Sequence, residues 1–231
     1  MARKTGAVVA TNGNGTVDAH SEPSPAKSRL HLDGMKSEPS IGKPIELPRL
    51  DIRMIQIRIV GDSPLITNRW SEKARQMILD KQMGKAKSGK EAKNPQADYE
   101  ESMYRTEDDV PGFPAIAFKA AAVNAANDAG IQKTLARRAF HVAGEIIPID
   151  GEPAMREDVV RIAMGTADIR HRAEFKHWAV TLNITYNAGI ISLEQLINLF
   201  QIAGFGVGVG EWRPERNGTY GTFHVAARED E

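Results

Sequence analysis

Glycine recurs at every second position through Gly204, Gly206, Gly208 and Gly210, and Trp212, Arg213 and Arg216 follow before Gly218 and Gly221. Backbone without side chains can take positive φ and let another chain come close. Exposed amides in such a loop bind anions. Trp212 offers a ring face for a nucleobase, and Arg213 and Arg216 offer cations for phosphates. The plainer alternative is a flexible connection with a packed tryptophan. A dinucleotide fingerprint does not fit, because that motif follows a strand and opens a helix, whereas this segment follows a helix and opens a strand. Walker A is excluded as well, since no Gly-Lys-Ser/Thr occurs.

Three further segments carry groups of the same chemistry. Arg170 and Arg172 are two residues apart in an extended stretch, a spacing that suits successive phosphates or a carboxylate partner. Asn68, Arg69 and Trp70 combine a polar pair with a second stacking ring, or form a simple loop-to-helix junction. Lys119 is placed in the first turn of a helix, where the dipole disfavours a cation. It therefore suits an anion shared with the helix N-terminus, or is an ordinary surface lysine. Lys85 and Lys87 belong to a basic, Gly- and Ala-containing segment, Gly84 to Pro95, read as a flexible loop. Asp108, Asp109, His141, His171, His177 and His224 form no recognisable triad or acid–base pair. No metal-ligand spacing and no cofactor motif is legible.

Composition bounds the classes. The chain has 231 residues, no cysteine, and 30 Lys+Arg against 30 Asp+Glu. No disulfide framework and no thiolate site is available. No apolar run approaches the roughly 18 residues of a membrane span. The first residues lack the apolar stretch of a secretory signal, so a cytoplasmic protein is expected. Zero net charge counts against coating nucleic acid by bulk charge, though not against a local basic groove.

The elements that must position these groups follow from periodicity. Residues 1–48, rich in Pro, Gly and Ser, are expected to be a disordered tail, leaving 49–231 as a single domain. Asp51 to Val60 alternates as a strand, and Ser71 caps a helix over Glu72 to Gln82. A polar helix is expected over Gln96 to Thr106, a short strand over Ala115 to Phe118, and helices over Lys119 to Ala129 and Ile131 to Phe140. Gly144 to Ile149 and Val159 to Ala163 are expected to pair through an Asp150-Gly151 turn. Lys176 to Tyr186 alternates, with Trp178, Val180, Leu182, Ile184 and Tyr186 on one face. Ser192 and Gln195 form a capping box for a helix that Gly204 stops, and Thr222 to Ala227 is the last strand. The α+β order strand, helices, strand, strand, helix, strand is that of a ferredoxin-like split βαβ arrangement.

The Pro111-Gly112 turn leading to Lys119-Ala120, together with a glycine-rich loop before the last strand, resembles the RAMP superfamily. These are the RNA-binding backbone and processing subunits of CRISPR effector complexes. Ile59-Val-Gly61-Asp-Ser63-Pro64-Leu65 is similar to that family's first strand and following segment. The spacing from Pro111-Gly112 to Lys119 is longer than usual, and Ala120 stands where the family has glycine. The resemblance spans residues 51–227 in element order. It implies a ferredoxin-like (RRM-like) βαββαβ core with insertions, and a single-stranded nucleic acid, RNA first, as partner. It also implies side-by-side assembly into a homo-oligomer or filament, with other effector-complex subunits as further partners. The Gly84–Pro95 segment would be the inserted thumb. The alternatives are an endoribonuclease of the same fold, for which Asp109 and His171 are the residues to test, and a phage single-stranded-DNA-binding or assembly protein.

Overall fold

The computed structural model describes residues 50–85, 92–161 and 167–227. The expected tail, Lys87 and the last four residues lie outside them. In chain order the elements are β1 (Ile52–Gly61), β2 (Leu65–Ile66), α1 (Glu72–Gln82), α2 (Pro95–Glu101), β3 (Tyr104–Arg105), β4 (Pro111–Pro114), α3 (Ala115–Ala125) and α4 (Lys133–Ala139). There follow β5 (Phe140–Val142), β6 (Ile146–Pro148), β7 (Pro153–Arg161), β8 (Ala167–Phe175), β9 (Ala179–Asn187), α5 (Leu193–Gly206) and β10 (Phe223–Val225). The described residues are thus mixed α+β, with antiparallel sheets throughout.

The main sheet has the order β10-β1-β9-β5. Its inner face follows directly from the alternation of β1 and β9. Ile55, Ile57 and Ile59 lie opposite Ile184, Leu182 and Val180, and all but the half-buried Ile55 are sealed in the core. Phe118 of α3 and Leu196, Leu199 and Phe200 of α5 join the same core, and α3 packs on α5. Edge-to-face contacts link Tyr104, Phe113, Phe118, Phe223 and Trp178 in series. The opposite face of β1 and β9 pairs Met54 with Thr185, Gln56 with Asn183 and Arg58 with Thr181, and carries no aromatic residue.

Two smaller sheets, β2-β8-β7 and β3-β4-β6, complete the architecture. Here the structure departs from the sequence expectations. The strand expected at Ala115–Phe118 is the first turn of α3, because alanine's helix propensity outweighs a four-residue apolar run that reads equally as strand or helix. Lys119 is therefore one turn inside α3, and the dipole argument for an anion there does not apply to it. Asp150-Gly151 is not a hairpin turn: β6 pairs with β4, β7 pairs with β8, and Asp150 forms a bridge with Ala179. Lys176–Trp178 turns between β8 and β9, although Trp178 stays buried and donates from Nε1 to the Ser63 carbonyl at 2.8 Å. The helix begun by the Ser192–Gln195 capping box runs on through Gly206.

Candidate nucleic-acid interface

Thr67 to Ser71 connects β2 to α1. Its course is fixed by backbone bonds: Thr67 N–H donates to Ala173 O at 3.0 Å and Arg69 N–H to Ser102 O at 2.9 Å. Ser71 then caps α1, its Oγ accepting from Ala74 N–H at 3.1 Å. Trp70, held between these anchors, is 70% exposed. A large apolar ring in that state on an anchored loop has a free face.

Trp70 borders a groove of about 600 Å³. Asn68, Arg69 and Lys73 line it on the α1 side, and Lys93, Asp168, Arg170, His171 and Arg172 on the β8 side. Two predicted segments a hundred residues apart therefore face one space. The cations are partly compensated. Arg69 lies 3.9 Å from Glu72, Arg170 lies 3.6 Å from Asp168, and Lys93 donates to Asp168 and to the Ile169 carbonyl. The Lys93 hydrogen bond is the main reason that the Asp168 carboxyl sits below the usual carboxylate range.

Arg172 is only 4% exposed. Its guanidinium lies 5.8 Å from the Trp212 ring centre and 3.6 Å from Asp158, and its Nε and Nη1 make no hydrogen bond among the described residues. Trp212 is half-buried, and its ring is engaged by guanidinium groups of the protein itself. Its ring lies 5.5 Å from Arg156, which also stacks on Tyr220 at 4.9 Å and donates to Asp158 and Glu174 at 2.8 and 2.7 Å. Burial opposes the Arg156 charge, but these bonds and the one to Tyr220 outweigh it and hold the pKa above the ordinary arginine value. The cluster ties the glycine-rich loop to the β7–β8 hairpin.

That loop is closely packed. Gly208 and Gly210 take φ of 68° and 79°, and a Cβ on Gly210 would meet the Ile66 carbonyl oxygen at 2.7 Å. The close approach expected of these glycines is made by the chain itself. Gly206 belongs to α5. A second cleft, about 230 Å³, lies between the loop and α3 and is lined by Gly208, Gly210, Arg213, Ala117, Ala120 and Asn124. Asn68 lines both clefts and donates to Glu211 at 3.0 Å. Arg213 is engaged by Glu215 at 2.8 Å and by the Gly210 carbonyl at 3.1 Å.

The remaining predicted residues lie elsewhere. Arg216 is exposed on a 3-10 turn and lines neither cleft. Lys119 donates to His141 Nδ1 at 3.1 Å beside the Phe140 ring. Lys85 pairs with Asp80 at 3.1 Å past the end of α1. Asp109 occupies a tight turn at φ 61° and accepts from Arg105. His171 donates to Glu157 at 3.2 Å. No group of three or more His, Cys, Asp or Glu residues able to hold a metal occurs among the described residues, and no described helix is long and apolar enough to cross a membrane. Sequence reasoning missed Lys73 and Arg156. Lys73, in the first turn after the Ser71 cap, is signalled by its nearness in sequence to Trp70, while nothing local marks Arg156.

No protein-family model matches the chain, and no curated protein matches it. Among solved structures, it is similar to the crystal structure of Cmr6 from Pyrococcus furiosus, at 10% sequence identity and a TM-score of 0.38, over 77% of this chain and 100% of that one.

Proposed function

We propose that this chain is a non-catalytic, cytoplasmic subunit that binds single-stranded nucleic acid, RNA above all, and self-assembles along the strand. The observation that carries the reading is the groove in which the exposed Trp70 ring and Arg69 face Arg170 and Lys93. A stacking ring beside several cations is the arrangement that sequence-tolerant single-strand binders use. In this reading Trp70 stacks a base, Arg69, Lys73, Arg170 and Lys93 meet the backbone, and Asn68 reaches a base edge or sugar. Arg172 and Trp212 position the wall and do not contact the ligand.

The fold reading is of the same kind. In the order β10-β1-β9-β5, α3 lies in sequence between β1 and β5, and α5 between β9 and β10. That order supports a ferredoxin-like core, and with the Pro-Gly turn and late glycine loop it supports a RAMP-type subunit with other effector subunits as neighbours. The open face of β1 and β9 lacks the aromatic residues with which RRM sheets stack bases, so binding is assigned to the groove.

Fluorescence anisotropy with a labelled single-stranded RNA over a salt series tests this. Affinity is expected to fall as salt rises, with the RNA left uncut and light scattering reporting larger species once RNA is added. Absence of salt-dependent binding to any single strand overturns the reading.

A further inference from the structure

β7 is the terminal strand of the β2-β8-β7 sheet, and no described strand pairs with its outer edge. It is nine residues long, and an unpaired edge presents a row of backbone groups to another strand. Its ladder parity follows from β8. Ala173 turns its N–H toward Ser102 Oγ at 2.8 Å and its carbonyl toward Thr67 N–H at 3.0 Å, both away from β7. Met155 lies opposite Ala173. The backbone groups of Met155, and by alternation of Glu157 and Val159, therefore point outward. The side chains of these three residues share one face with Ile169 and His171. Met155, Val159 and Ile169 there are 45%, 70% and 44% exposed.

The edge reads Met155-Arg156-Glu157-Asp158-Val159 and is complementary to its own reverse. Antiparallel pairing of two copies about Glu157 brings outward-facing residues together. It sets Met155 opposite Val159 of the second copy, and Arg156 opposite Asp158 of the second copy. The apolar Met155–Val159 pair is of a kind that stabilises sheets, whereas Arg156 and the buried Asp158 are already bonded to each other within one chain, Arg156 also to Glu174. On the apolar face, Ile169 and Val159 of one copy continue into Met155 of the other. A slip of one residue sets outward-facing against inward-facing groups and loses the ladder. The single unfavourable pair is Glu157 with its own counterpart, each beside the His171 that binds it at 3.2 Å.

We propose that β7 is a homodimerisation strand, joining two copies edge to edge through Met155–Val159 about a two-fold axis. The contact is isologous and closed. It does not depend on nucleic acid, so growth along a strand would use a different surface.

Sedimentation and light scattering of the full chain without nucleic acid test the proposal. A dimer dissociating at roughly 10 µM is expected, since a single strand pairing buries less than a standard interface. Val159→Pro removes an N–H that points away from β8, so the β7–β8 ladder keeps its bonds and the protein becomes monomeric. Met155→Lys with Val159→Lys is expected to abolish the dimer, and Met155→Lys with Val159→Glu to restore it. Glu157→Gln tightens it by about two- to fivefold. A protein monomeric at every concentration overturns the proposal, as does a dimer that persists in the Lys/Lys variant or in folded Val159→Pro.

Discussion

The Arg156 guanidinium lies 5.5 Å from the centre of the Trp212 ring. A residue of β7 and a residue of the glycine-rich loop, both half-buried, thus form one contact, and that contact stands behind the wall that presents Arg170 and His171 to the groove. Trp212→Ala is expected to remove the ring from under both Arg156 and Arg172 and to destabilise the fold by about 3 kcal/mol. Urea denaturation measures this. A change below about 0.5 kcal/mol would show that the cluster is not structural.

Trp70 should behave in the opposite way. Its ring is 70% exposed, so Trp70→Ala leaves the unfolding midpoint within about 0.5 kcal/mol of the parent. Loss of a stacked base costs about 1–3 kcal/mol of binding, which anisotropy with single-stranded RNA would register as a drop of about one order of magnitude or more. Unchanged affinity in Trp70→Ala removes this residue from the interface.

Asp168 gives a signed pH and charge prediction. Its pKa is lowered, chiefly by the Lys93 hydrogen bond. The stabilisation is present above the ordinary carboxylate pKa and is lost as pH falls through the lowered value. The pair is largely solvent-facing, so Asp168→Asn costs no more than about 1 kcal/mol at neutral pH. The same change removes an anion from the groove and frees Lys93, so RNA binding at fixed salt is expected to strengthen. Weaker binding in a folded Asp168→Asn protein contradicts the groove assignment.

Two glycines separate a packed loop from a flexible one. Gly206 is helical and a Cβ there meets nothing within 4 Å, so Gly206→Ala is expected to stabilise by about 0.5–1 kcal/mol. Gly221 has φ 66°, and its Cβ would run into the Val209 carbonyl. Gly221→Ala should destabilise by about 2 kcal/mol or more. Thermal melts of the two variants give shifts of opposite sign if the loop is packed as described, and small, similar shifts if it is not.

What was legible in the sequence was local. α1 begins after Ser71 and ends at Gln82, as expected from its cap. The Ser192–Gln195 capping box makes both of its bonds. The inward face of β9 is Val180, Leu182, Ile184 and Tyr186. The unread parts depend on distant partners. β8 lacks a hydropathy period because the buried Arg172 and the half-buried Glu174 pack against charges on β7 and, for Arg172, against Trp212 rather than against apolar groups. β3, β4 and β6 span two to four residues, too short for any period to register. The meeting of Trp70 with Arg170 across the groove has no sequence signal, since it rests on β2 pairing with β8. The fate of Trp212 turns on Arg156, a residue no local pattern singles out.

Asn68 lines both clefts and is bonded to Glu211 on the glycine-rich loop. One amide side chain is therefore a boundary condition for two sites. If occupancy of the groove draws Asn68 from Glu211, the affinity of the smaller cleft changes by some factor, and by linkage a ligand in the smaller cleft changes groove affinity by that same factor. The two spaces then form a cooperative pair whose sign is set by Asn68 and Glu211, and Asn68→Ala would make them titrate independently.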